Sequence, residues 1–171
     1  MQQALSAYEP LKLEPAALEA NLLYDLSSCN SGMGNYQRAL ELDQQALDMR
    51  RKLFGEQHPD IASLLNNLAS DYSALGNPQR ALELGQQALE MRRELLGATH
   101  PDTIYSLRFV AQRLFANPFT AGRGKALIEE HLRLVQRDHP ARAELLVFLA
   151  TQKGFRKPAK SGHGKKPRKR R

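Results

Sequence analysis

Tryptophan is absent from this 171-residue chain, cysteine occurs once, as Cys29, and aromatic residues make up only 6%. A lone cysteine forms no intrachain disulfide, which excludes a disulfide framework and matches a reducing compartment. With so few rings, the core must be filled by Leu and Ala, and apolar residues at 42% suffice for one. No stretch approaches the ~18 uninterrupted apolar residues of a membrane-spanning helix. The opening run Met1-Gln2-Gln3-Ala4-Leu5-Ser6 has neither a basic segment nor an apolar one, so it does not read as a secretory signal. A soluble cytoplasmic protein with no membrane partner is expected.

Acidic residues are missing from positions 153–171, which hold ten Lys or Arg. The net charge of +7 is therefore uneven: removing those ten from 25 basic residues leaves 15 against 18 acidic ones, a net of −3 for residues 1–152. The chain ends Lys165-Lys166-Pro167-Arg168-Lys169-Arg170-Arg171, with Gly154, Pro158, Gly162 and Gly164 before it. Such a segment cannot bury a core and is predicted to be disordered. Lys165, Lys166, Arg168, Lys169, Arg170 and Arg171 can neutralise phosphates, so weak non-specific binding of nucleic acid or another polyanion is one expectation. In a eukaryote the same run reads as a nuclear-import signal. A merely solubilising tail is the plainer alternative. Only Phe155 accompanies the basic residues, too little for stacking-based readout of bases.

Catalytic constellations are missing as well. No nucleophile–base pair, carboxylate dyad or metal-ligand spacing is visible, and Gly122-Arg123-Gly124-Lys125 lacks the spacing of a phosphate loop. Cys29 lies among Ser27, Ser28 and Asn30 with no adjacent cation, and reads as a small helix residue. No enzyme, metal or cofactor is expected.

What is present is a repeat. Gly34 to Leu75 returns as Gly76 to Asn117, with 23 of 42 positions identical, 20 of them in the first 27. A period of this length marks stacked supersecondary units. Ala39, Leu42, Ala46, Met49 and Leu53 fall at helical spacing and recur as Ala81, Leu84, Ala88, Met91 and Leu95. Gly55 and Gly97 follow as helix-ending glycines. Ile61, Leu64, Leu65, Leu68, Ala69, Tyr72 and Leu75 mark the other helix, preceded by His58-Pro59-Asp60, which recurs as His100-Pro101-Asp102. Proline in the first turn and aspartate at the positive end of the helix dipole suit a helix start. The histidines recur one repeat apart, roughly 10 Å in stacked hairpins, too far to share a metal, so a cap or turn role is predicted. Arg50-Arg51 and Arg92-Arg93 read as solvated helix ends. Gly-Asn at 34–35 and 76–77 supplies the turn inside each hairpin.

Shifted back one period, Leu22, Leu23 and Leu26 fall under Leu64, Leu65 and Leu68, so an earlier unit begins near 14. Helices are predicted near 14–32, 35–54, 59–75, 77–96, 101–116, 122–137 and 140–152. The array spans 14–152, well formed to about 116 and degenerate beyond. Leu145 to Leu149 are five successive apolar residues, more than a capping helix needs, so either self-association or a partner covers 140–152 or the array has lost further repeats.

Leu65-x2-Leu68-Ala69-x2-Tyr72, Gly76, Ala81 and Ala88 resemble the tetratricopeptide repeat, and the 42-residue period with His58-Pro59-Asp60-Ile61-Ala62 resembles its kinesin-light-chain subtype. The resemblance implies an all-α stack of antiparallel hairpins wound as a right-handed superhelix, with first helices lining a concave groove for a peptide or partner helix. Carried over by position, that groove would include Tyr24 with Asn21, Asp25 and Ser28, then Asn66, Asn67 and Ser70 with Ser63 and Ser73. Tyr105, Arg108 and Gln112 with Phe115 complete it. Asn66 and Asn67 would grip a peptide backbone, and Tyr105 and Arg108 side chains or a carboxylate. Asn-Asn occurs once, replaced by Tyr24-Asp25 and Arg108-Phe109, so the groove would be mixed. First helices diverge between copies while second helices barely change; drift near the array's end and tailoring to a ligand both account for this. Asp43 and Gly85 stand where the family packs an aromatic, which predicts a looser helix contact. A non-catalytic interaction scaffold follows, with an adaptor to polyanions through the tail as the alternative.

Overall fold

The computed structural model describes residues 15–152. These form seven helices: α1 Pro15–Gly32, α2 Tyr36–Phe54, α3 Pro59–Ala74, α4 Pro78–Leu96, α5 Pro101–Phe115, α6 Ala121–Leu134 and α7 Pro140–Thr151. The described residues are all-helical, and the basic tail lies outside them. Helices α1 and α2, α3 and α4, and α5 and α6 pair as hairpins, α2 packs on α3 and α4 on α5, and α7 opens a fourth unit.

The predicted punctuation marks hold. His58, His100 and His139 each accept, through Nδ1, the backbone N–H two residues on, at 3.2 Å in every case. Each therefore satisfies one of the free donors at the head of a helix whose first residue is proline. Gly34, Gly55, Gly76 and Gly97 have φ between 79° and 84°, where a side chain would be strained, so the repeated glycines set the turns.

The core is aliphatic. Leu40, Ala46 and Leu47 of α2, Ile61, Leu64, Leu65, Leu68 and Ala69 of α3, and Leu84 and Ala88 of α4 form one cluster. A second cluster runs from Leu89 through α5 to Ile128, Leu132, Ala141 and Leu145. Ala39, Ala46, Ala69, Ala81, Ala88 and Ala111 are fully buried, where a small residue lets two helices approach.

Three expectations change. The contact expected to loosen at Asp43 and Gly85 does not: both are buried, and at Gly85 an added Cβ would lie 3.0 Å from the Phe109 ring. The aromatic comes from the neighbouring helix. Arg50 and Arg92 are not solvated helix ends; both are buried, while Arg51 stays partly exposed. Helix α6 stops at Leu134, short of 137, because buried Val135 is extended and Arg142 donates to the carbonyls of Leu132 and Val135.

Candidate functional site

Each of the second helices α2 and α4 carries an arginine that stitches three helices together. Arg50 of α2 donates to Asn21 Oδ1 of α1 at 2.8 Å, pairs with Asp60 of α3, and lies over the Tyr24 ring at 5.6 Å. Arg92 of α4 donates to Ser63 Oγ of α3 at 3.0 Å, and to Ser106 Oγ and the Asp102 carbonyl of α5 at 2.9 and 3.1 Å. Burial pushes the Arg92 guanidinium below its usual range, while nearby Asp102 opposes the shift. Bonded on three sides, it stays charged and cross-links the stack.

This network takes up part of the expected groove. Asn66 is only 4% exposed and donates its amide to Ser106 Oγ at 2.6 Å, so it belongs to the seam between α3 and α5. Tyr24 is half-buried beneath Arg50, and Asn67 is half-buried too. Phe115 is buried in the second core cluster. Ser70, Tyr105, Arg108 and Gln112 remain exposed, Tyr105 at 59%. On α5 the spacings of three and four put Tyr105, Arg108 and Gln112 on one face. Arg108 pairs with Glu144 of α7 at 2.6 Å and lies over the Phe148 ring at 5.5 Å. The tail residues Lys165, Lys166, Arg168, Lys169, Arg170 and Arg171 lie outside the described residues.

Several partners had no signal in the sequence. Arg113 stacks over Phe109 at 4.9 Å and donates to Ser73 of α3. Phe109, Arg113 and Gly85 stand where the previous copy has Asn67, Asp71 and Asp43, so the two seams use different chemistry. In the first seam Asp43 and Asp71 are both buried. Burial pushes the Asp43 carboxyl up to about 7; neighbouring Ser27 opposes this and Asp71 adds to it. Asp71 is raised for the same reason, against a 2.6 Å hydrogen bond from Ser31. His131 is fully buried, its Nε2 2.7 Å from the Ala98 carbonyl, and burial lowers its pKa, keeping the ring neutral.

The tetratricopeptide repeat profile matches residues 18–94 and 60–116, together more than half of the chain. The protein belongs to the tetratricopeptide repeat family. Among solved structures it is similar to a kinesin-light-chain-type protein of Podosopora anserina with nearly identical TPR-like repeats, at 24% identity and TM-score 0.70, covering 89% of this chain and 72% of that one. A single-substitution variant of the same protein matches with the same values: 24% identity, TM-score 0.70, and coverage of 89% and 72%. BtubC (BKLC) from P. vanneervenii is 18% identical with a TM-score of 0.66, over 99% and 75% of the two chains. No curated protein matches. The fold is thus a TPR solenoid. No helix among the described residues is long and apolar enough to cross a membrane. The family supports a protein–protein interaction scaffold.

Proposed function

We propose that this TPR array is a non-catalytic scaffold that takes a peptide or partner helix along its first helices, α1, α3 and α5. The observation that carries this reading is the exposed face of α5. Its other side is sunk in the core, yet Tyr105, Arg108 and Gln112 stay free of it. The Tyr105 ring offers apolar area with a polar tip, Arg108 a two-pronged donor for a carboxylate, and Gln112 and Ser70 backbone-compatible hydrogen bonds. In this reading Asn66 positions Ser106 and Arg92, and Asn67 and Tyr24 edge the surface.

The test is capture from a lysate by the full chain and by a Tyr105→Ala/Arg108→Ala/Gln112→Ala variant whose melting temperature is unchanged. Loss of a specific set of proteins is expected. An identical set from both baits would overturn the reading.

Two secondary readings rest on separate observations. The run of six basic residues in Lys165 to Arg171 favours polyanion binding; nucleic-acid affinity should then fall with salt and vanish on deletion of 153–171. Exposed Leu146 and Val147 on α7 favour self-association through 140–152, which a Val147→Asp variant should abolish in sedimentation.

A further inference from the structure

The first helix leaves one face open. Leu18, Leu22 and Leu26 form a stripe along α1 and are 50%, 60% and 50% exposed. One period later the same places are Asp60, Leu64 and Leu68, and the two leucines there are buried, at 0% and 4%. Side chains confirm the register: Arg50 reaches Asn21 as Arg92 reaches Ser63, 29 residues back in each case. Leu64 and Leu68 share a core cluster with Leu40 and Leu47 of α2, the helix of the preceding unit that packs on α3. The exposed stripe is therefore an inter-unit face without its covering second helix.

The chain just upstream carries the residues of such a cover. Gln2-Gln3-Ala4-Leu5 repeats Gln44-Gln45-Ala46-Leu47 and Gln86-Gln87-Ala88-Leu89, at the same 42-residue period. Leu5 precedes Leu22 by 17 residues, as Leu47 precedes Leu64, so the connecting chain has the length already used between α2 and α3. A paired change points the same way. Arg50 and Asp60 form an ion pair across the α2–α3 seam; their counterparts one period earlier are Tyr8 and Leu18. Both halves of an ionic contact are replaced by apolar-bodied residues, which suits two positions in contact, since a buried arginine without its acid would lose its ion partner. Pro10 then stands at the place of Lys52 and would halt a helix before it.

We propose that residues 2–9 dock on the Leu18 and Leu22 stripe of α1 as the last turns of a second-type helix, with Leu5 against Leu22 and Tyr8 against Leu18. The occupant proposed for this face is the chain's own segment 2–9, which would give it the second-helix cover that Leu64 and Leu68 have one period later. Acidic Glu9 falls at the place of partly exposed Arg51, and Ser6 at that of exposed Asp48, so docking in this register would turn the segment's polar residues outward.

The test uses the full chain in a Cys29→Ser background. Leu5→Cys/Leu22→Cys and Ser6→Cys/Leu22→Cys variants are treated with a short bismaleimide, and cross-links are mapped by mass. The Leu5 pair should link within one chain about tenfold faster than the Ser6 pair, which shares the tether but faces away. In parallel, Leu5→Asp should speed hydrogen exchange of α1 amides by about tenfold or more, and Ser6→Asp should not. Equal rates for the two cysteine pairs would overturn the proposal. So would cross-linked dimers, which would assign the stripe to a second copy, or α1 exchange that ignores Leu5→Asp.

Discussion

Gly85 of α4 and Phe109 of α5 fit one another across the second seam: a Cβ on Gly85 would sit 3.0 and 3.1 Å from two atoms of the Phe109 ring and 3.2 Å from Val110. Helical glycine costs about 1 kcal/mol relative to alanine, and here the missing side chain admits an aromatic. Gly85→Ala should destabilise by about 1 kcal/mol, since overpacking at roughly 1–3 kcal/mol outweighs the propensity gain. In a Phe109→Ala background the same change should turn stabilising, by up to about 1 kcal/mol. A denaturant double-mutant cycle reads the coupling, and additive effects would refute the fit.

Asp43 predicts an unusual pH dependence. Its folded pKa is pushed up to about 7 from 3.8, so between those values the folded chain keeps a proton that the unfolded chain has released. Stability is therefore fully present below the unfolded value and falls as pH rises toward about 7. Asp43→Asn should flatten the slope of melting temperature against pH and raise stability at pH values above the folded pKa. Parallel pH profiles for the two proteins would contradict this.

Arg92 should matter far more than its neighbours in sequence. Arg92→Ala removes the donor to Ser63 and to the Asp102 carbonyl and leaves Ser106 with Asn66 alone, and should cost about 2–4 kcal/mol, from the desolvated groups left behind. Arg92→Lys should recover only part, because an ammonium cannot span the same acceptors. Arg51→Ala removes a pair with Glu56 whose side chains are 38% and 73% exposed, and should change stability by less than about 1 kcal/mol. Urea unfolding compares all three.

Arg108 is held by Glu144, with both side chains about half exposed. Glu144→Gln should therefore shift stability by no more than about 1 kcal/mol. If the α5 face grips a carboxylate, the same change should tighten binding of an acidic peptide to the array by freeing Arg108. Titration calorimetry on a captured partner peptide would show unchanged or weaker binding if Arg108 serves only to hold α7.

The sequence made the helices and most of their ends legible, because those signals are short-range. His58, His100 and His139 cap from two residues away, and the glycines at positive φ act at a single residue. The groove was only partly legible. Position in the repeat selected Asn66 along with Ser70, yet one is buried against Ser106 and the other is exposed, because the neighbouring unit decides which polar side chain meets a partner. Gly85 and Asp43 looked like defects for the same reason: what fills the space at Gly85 belongs to α5.

The sequence alone therefore determined that this protein is a stack of 42-residue helical hairpins with an aliphatic core, since periodicity, caps and turns are properties of one unit read locally. Only the tertiary structure decided the seams between units. Arg92 of one hairpin meets Ser106 of the next from 14 residues away, and Asn66 meets Ser106 from 40. Such pairs form when successive hairpins close on each other, so their partners follow from stacking geometry and not from any pattern along the chain.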